Sequence, residues 1–492
     1  MDRKKSLILI ALSSLFFVLA SPGFVSPWLS LFFLVPSLIV YSQVSVKEAF
    51  FYGFLQGILS YGGANYWFAY SAIVMFDMTL LLAVPLYLFM AALFYGLYLS
   101  FFSSSASWIF HITSEGSLFK RVLLSAVSIP LLWMTVEIFR GFIFPQFNIT
   151  EITSFFYQYP LFLQLVSVVG EHLFSLIIIF VNVGIYFAVK YFLDQRKGEK
   201  LSKDKKSLKV LIPLIFSVVL VALSFLYGSI MGGTFYKTEK FKDEIISLQL
   251  NISHKKKWKR QYYNEILNRY IAETKRALKS KTKIVIWPET AINFYPQRES
   301  DLSIKLLDFA DSHDIIILSG GPEYEVVNGK TKYYNAVFKI GNNEIKSVYR
   351  KEKLLPFAEH CPVDALMFLY KIANNGKTNQ FYSYNKNRPV VAHKYVIGMG
   401  ICYESTFPFL IKERSLDSDL LVIFSDDVWL GNTSGPEQHI ATEVLRAIET
   451  RKWIIASVNS GISALISPEG DIVKRIGFGR KGIIRFPLEK KE

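Results

Sequence analysis

Val-Ile-Gly-Met-Gly-Ile-Cys-Tyr-Glu (396–404) decides how the C-terminal half of this chain is read. An uncharged apolar and glycine run stops abruptly at a thiol and a carboxylate. A short continuous apolar run of this kind predicts a strand buried on both faces, as in a parallel sheet covered by helices. The end of such a strand holds a side chain rigidly while leaving its tip in a cleft. Lys-Ile-Val-Ile-Trp-Pro-Glu (283–289) repeats the arrangement with Glu289 at its end, and the strand-like Ile345 to Tyr349 leads to Lys351. A nucleophilic thiol needs a base for its proton and a positive charge beside the oxyanion it creates. Glu289, Lys351 and Cys402 supply that set from three elements able to converge on one pocket.

Further strands are expected at Ile245 to Gln249, Ile315 to Ser319, Tyr334 to Ile340, Leu420 to Phe424, Trp453 to Val458 and Ser463 to Ser467. Helices are expected over 257–280, with a polar face rich in Lys and Arg, and over 436–451. Short β-rich runs alternating with helical ones predict a layered α/β domain.

Upstream of about residue 235 the character changes. Apolar runs recur that are long enough for a bilayer, which takes about 20 residues per crossing. Seven spans are read, at approximately 5–20, 27–42, 47–70, 79–104, 121–143, 165–193 and 208–231. The expected organisation is a transmembrane helical domain over 1–235 and a catalytic domain over 236–492. Basic residues collect on alternate sides: Arg3, Lys4 and Lys5; Lys47; Lys120 and Arg121; then Lys190, Arg196, Lys197, Lys200, Lys203, Lys205, Lys206 and Lys209. Loops 21–26, 71–78 and 144–164 contain neither Lys nor Arg. By the positive-inside rule the N-terminus is cytoplasmic, and seven crossings carry the second half to the far side. The first span also resembles a signal peptide, with Leu19-Ala20-Ser21 as a possible cleavage site, but the topology needs it retained.

Over 492 residues, 51% are hydrophobic and 16% aromatic, which is too apolar for an ordinary soluble protein. The net charge of +15 sits largely in the cytoplasmic loops, so topology and anionic headgroups explain it better than nucleic acid does. Two cysteines make no disulfide framework, and Cys361 and Cys402 are expected to stay free. The seven His show no metal-ligand spacing such as His-x-x-x-His, and neither metal nor cofactor is expected.

Taken singly, each site residue has an ordinary alternative. A glutamate after Trp-Pro opens many loops, a lysine in Arg-Lys-Glu-Lys is usually solvated, and a cysteine in an apolar strand is usually a small buried hydrophobe. Together they resemble the nitrilase superfamily, whose members use a Glu, Lys and Cys triad on an αββα sandwich. The resemblance is closest to its membrane-embedded branch, the apolipoprotein N-acyltransferase family. It extends to Trp-Pro-Glu-Thr (287–290), Tyr-Tyr-Asn (333–335), Leu-Pro-Phe-Ala-Glu (355–359), Cys-Tyr-Glu (402–404) and Gly-Pro-Glu-Gln-His (435–439). In the membrane half, Trp133, Glu137, Arg140 and Gly141 match a Trp and Glu-x-x-Arg-Gly pattern.

The resemblance implies that Glu289 is the general base, that Lys351 stabilises the oxyanion, and that Cys402 takes an acyl chain from a phospholipid as a thioester. The amine of a diacylglyceryl-cysteine apolipoprotein then resolves it. It further implies supporting roles for Glu359, which would orient Lys351 or the thiol, for Tyr403 and Glu404, and for Trp258 as a substrate contact. Glu137 and Arg140 would either neutralise each other or serve function. One position departs: Asp426-Asp427-Val428-Trp429 stands where the family usually has Asn-Asp-x-Trp. Aromatic residues of loops 290–303 and 354–385, Phe294, Tyr295, Phe368, Tyr370, Phe381 and Tyr382, either dip into the membrane interface or pack on the sandwich. The expected protein is a monomeric inner-membrane enzyme with a periplasmic catalytic domain. A membrane-anchored amidase and a non-catalytic lipid-binding scaffold are the alternatives.

Overall fold

The computed structural model of the chain describes residues 1–114, 118–143, 149–196, 208–235, 241–362, 364, 367–373 and 380–487. It forms two compact units: Met1–Ile73 with Met78–Gly232, and Gly233–Glu492 with Val74–Asp77. The basic run from Lys197 to Lys206 lies outside the described residues.

The first unit is helical. Leu80–Ile112, Phe119–Gly141, Val166–Gln195 and Ile212–Met231 are long and apolar enough to cross a membrane, and correspond to the last four expected spans. The first three expected spans fall on Arg3–Ala20, the short apolar Pro27–Tyr41, and Val46–Ala64 followed by Trp67–Phe76. Small residues let these helices approach closely: a Cβ at Gly57 would stand 2.2 Å from the Tyr95 carbonyl oxygen.

The second unit is a two-sheet sandwich. One sheet has the order β12-β1-β2-β3-β4-β5, from Glu244–Gln249 (β1), Thr282–Trp287 (β2), Ile316–Val327 (β3), Lys330–Gly341 (β4), Glu344–Arg350 (β5) and Gly482–Phe486 (β12). The other has the order β11-β10-β9-β8-β7-β6, from Val390–Ala392 (β6), Tyr395–Ile401 (β7), Leu420–Ser425 (β8), Ile454–Val458 (β9), Ser463–Ile466 (β10) and Ile472–Ile476 (β11). β1, β2 and β3 run parallel, as do β7, β8 and β9.

Period-two alternation assigns the two faces. Ile284 and Ile286 point into the core between the sheets, with Ile397, Met399, Ile401, Leu420, Val422 and Phe424 opposite. Val285 and Trp287 face outward onto helices Tyr263–Ala277 and Ser300–Ser312, through Ile266, Tyr270, Leu306 and Phe309. Both faces of β2 are therefore covered, which is why its sequence reads as one apolar run.

Three differences from the sequence expectation have clear causes. β3 and β4 extend through a polar hairpin paired from Ile317↔Ile340 to Val327↔Lys330, because Asn328 and Gly329 both take positive φ (52° and 75°), the conformation of a type I′ turn. β6, β11 and β12 complete the sheets through pairing that their own composition does not announce. The helix expected over 257–280 is divided: one turn, His254–Lys257, precedes Trp258, and the main helix begins at Tyr263. The break comes at Lys259, whose backbone is extended (φ −98°, ψ 118°).

Candidate active site

Cys402 follows β7 directly and adopts φ +51°, then starts the turn Cys402–Thr406. A left-handed conformation at a non-glycine residue costs roughly 1–2 kcal/mol, so the turn is held by its surroundings. Glu404 supplies much of that hold. Its fully buried carboxylate accepts the Ile401 N–H (2.7 Å), the Tyr349 hydroxyl (2.8 Å) and the N–H groups of Glu352 (2.7 Å) and Lys353 (3.1 Å). Burial raises its pKa while these donors oppose the rise. Glu404 thus ties the turn at Cys402 to the segment carrying Lys351. Beneath the turn, His439 Nδ1 lies 3.0 Å from both Asp427 oxygens, and its Nε2 lies 3.3 Å from the Cys402 carbonyl. Burial works against the imidazolium, but Asp427 outweighs it and lifts the His439 pKa to about 9.

Glu289 ends β2 after Pro288. Its close approach to β3 depends on Gly320, where a Cβ would meet the Glu289 Cα at 2.6 Å. One carboxylate oxygen accepts Asn335 Nδ2 (2.7 Å), and the other accepts the Asp426 main-chain N–H (2.9 Å). Burial raises its pKa to about 7, against the pull of Lys351 and with the help of Glu359. The group thus ionises near neutrality, where a general base is most effective.

Lys351 is 2% exposed. Its Nζ lies 2.9 and 3.0 Å from the two Glu359 oxygens and 4.0 Å from Glu289 Oε1. Burial alone would lower its pKa, but Glu359 and then Glu289 outweigh burial and hold it above the ordinary lysine value, so the ammonium stays charged. Glu359 also accepts Asn335 Nδ2 (2.9 Å) and the Leu355 N–H (2.7 Å). Asn335 therefore links the two carboxylates that flank the lysine. It lies in the quoted Tyr-Tyr-Asn motif, where nothing in the sequence indicated this bridging role.

Glu289, Lys351, Glu359 and Cys402 line one cavity of about 490 Å³, with Trp258 and Trp429 also on its wall. That volume suits a small-molecule or single-chain site. Burial pushes the Cys402 thiol well above its ordinary value, reinforced by Glu289 and opposed by Lys351, so the resting proton sits on sulfur. Trp258 is 44% exposed, whereas Tyr403 is buried in the core with its ring edge-on to Phe407. Of the loop aromatics, Phe294 and Tyr370 pack inside (1% exposed each), while Phe368 and Tyr382 stand exposed.

In the helical unit, Arg140 pairs with Glu151 rather than Glu137. Its guanidinium is 5.2 Å from the ring centroids of both Tyr61 and Tyr98, and this stacking directs it away from the residue one turn earlier. Glu137 instead lies 3.9 Å from His172 Nδ1. Donor atoms of Glu137, Glu151 and His172 lie within 4.8 Å of one another, as do those of Cys402, Asp427 and His439, spacings compatible with a bound cation. In the second group both His439 nitrogens already have hydrogen-bond partners.

Residues 245–488, the span of the two-sheet sandwich, match the carbon-nitrogen hydrolase family. Residues 13–184 match the apolipoprotein N-acyltransferase N-terminal domain. The chain is 25% identical over 471 residues to the apolipoprotein N-acyltransferase of Geobacter metallireducens, covering 94% of this chain and 84% of that protein. It is 26% identical over 462 residues to that of Coxiella burnetii, covering 91% and 87%. Among solved structures, a branch 10 nitrilase-superfamily member from Saccharomyces cerevisiae aligns with 49% of this chain and 88% of its own, at 19% identity and a TM-score of 0.37. The chain belongs to the apolipoprotein N-acyltransferase family, the membrane branch of the nitrilase superfamily. Together with the four long apolar helices among the described residues, this makes it a membrane protein of the acyltransferase class.

Proposed function

We propose that this protein transfers an acyl chain from a phospholipid to the N-terminal amine of a diacylglyceryl-cysteine apolipoprotein, through a thioester on Cys402. The observation that carries the proposal is the convergence of Cys402, the near-neutral Glu289 and the buried Lys351 ammonium on one cavity.

Ionised Glu289 takes the thiol proton as sulfur attacks the ester carbonyl carbon. The C=O electron pair moves onto oxygen, and the Lys351 ammonium faces that oxyanion. When the oxyanion collapses the ester C–O bond breaks, and the glycerol oxygen takes the proton from Glu289 and leaves as lysophospholipid. In the second half the acceptor amine attacks the thioester, Glu289 removes its proton, and the C–S bond breaks to leave an amide. The proton on Glu289 then returns to sulfur. Glu359 keeps Lys351 in place, and Trp258 contacts substrate at the cavity wall. In this proposal residues 1–235 cross the inner membrane seven times, residues 236–492 face the periplasm, and the protein works as a monomer.

Intact-mass spectrometry of the full chain with a defined phospholipid tests this. A hydroxylamine-sensitive gain of one acyl chain is expected in wild type and not in Cys402→Ala. No gain with folded protein and available lipid would move the reading to an amidase or a lipid-binding scaffold.

A further inference from the structure

Lys257 is fully buried, although it ends a run of three lysines whose other two members are exposed. Its ammonium donates to Asp426 Oδ2 (2.5 Å), to Thr290 Oγ1 (2.6 Å) and to the main-chain carbonyl of Glu289 (3.3 Å). Three acceptors use the full donor capacity of an ammonium. Thr290 has φ +52°, an unusual conformation for a β-branched residue, so the lysine secures a turn that is not self-supporting. Asp426 acts on the same glutamate from the other side: its N–H donates to Glu289 Oε2 (2.9 Å), and its Oδ1 accepts Asn459 Nδ2 (3.0 Å). One ion pair therefore grips Glu289 at both its carbonyl and its carboxylate.

A buried ion pair is a poor source of stability, since apolar residues of similar volume often do as well. Its position against a single ionisable side chain points elsewhere. The charged groups around Glu289 are Lys351, Glu359, Asp426, Lys257 and the titratable Cys402, with His254 beyond Asp426 on the cavity wall.

We propose that Lys257 and Asp426 form a charged clamp that positions Glu289 and sets the pH at which it ionises, Asp426 opposing ionisation and Lys257 favouring it. Both are positioning residues, and the inference rests on Glu289 acting as the base. Asn at 426 keeps an oxygen for Lys257 and the N–H for Glu289 while removing the charge, and gives up only the bond from Asn459 Nδ2, so the charge is tested with most of the geometry retained.

The test is the pH dependence of Cys402 acylation in full-length wild type, Asp426→Asn, Lys257→Met and the double variant, in detergent with phospholipid. In Asp426→Asn the acid limb is expected to move down by about one pH unit, and in Lys257→Met up by a similar amount, the order expected for removing one neighbouring like or opposite charge at an effective dielectric of about 20. The double variant should return near wild type. Slower reactions with unmoved limbs, or limbs moving the same way, would overturn the clamp. If Lys257→Met does not fold, Asp426→Asn alone decides, because a limb that stays or rises contradicts the proposal. If wild type takes no acyl chain, the acyltransferase reading fails by itself. The clamp is then read from the infrared band of the protonated Glu289 carboxyl, identified by its loss in Glu289→Gln, whose titration must show the same opposite shifts.

Discussion

Glu359→Gln isolates what the second carboxylate does for the first. Asn335 Nδ2 lies 2.7 Å from a Glu289 oxygen and 2.9 Å from a Glu359 oxygen, so those oxygens are no more than about 5.6 Å apart. With an effective dielectric of about 20, two negative charges at that separation repel by about 3 kcal/mol, equivalent to about two pH units. Removing the Glu359 charge favours ionised Glu289, and freeing Lys351 to lean on Glu289 acts in the same direction. On the proposed mechanism the wild-type acylation rate is expected to rise with pH around the Glu289 pKa of about 7, and to rise one to two pH units earlier in the variant. The plateau should fall, because Lys351 loses a charge-assisted bond worth about 1.5–3 kcal/mol, or roughly 10- to 150-fold in rate if the whole loss appears in the barrier. Single-turnover acyl-adduct formation followed by intact mass from pH 5 to 9 reads both effects. An acid limb that stays or moves up, or a plateau within twofold of wild type, would refute the coupling.

Lys351→Met should lower acylation by about 10²–10³-fold, as expected for loss of an oxyanion donor. It should also lower the melting temperature in detergent, because Glu359 and Glu289 then lose their buried cation. Trp258→Ala should leave melting unchanged, since the ring is 44% exposed, and should raise the phospholipid concentration needed for half-maximal acylation more than it lowers the plateau.

Cys402 and Glu289 were legible because each ends an apolar run, and Lys351 because it follows a strand-like segment, patterns that survive in one dimension. Glu404, Asn335 and Lys257 were not legible as a framework. Glu404 joins donors from residues 349 to 401, Asn335 bridges two loops, and Lys257 differs from Lys255 and Lys256 only in the direction its side chain takes. The pairing of Arg140 with Glu151 was hidden for the same reason, because the Tyr61 and Tyr98 rings that steer it come from other helices.

By itself the sequence determined the division into an apolar helical half and a layered α/β half, the buried parallel strands, and the three groups of the candidate site. Apolar runs and strand ends are local properties of the chain, readable from composition and period. Only the tertiary structure decided which buried charges meet, how far the β3–β4 hairpin extends, and that Glu289 ionises near pH 7 rather than in the ordinary carboxylate range. Those outcomes depend on burial and on neighbours distant in sequence. Coulomb and desolvation energies are set by separation in space, and no spacing along the chain specifies it.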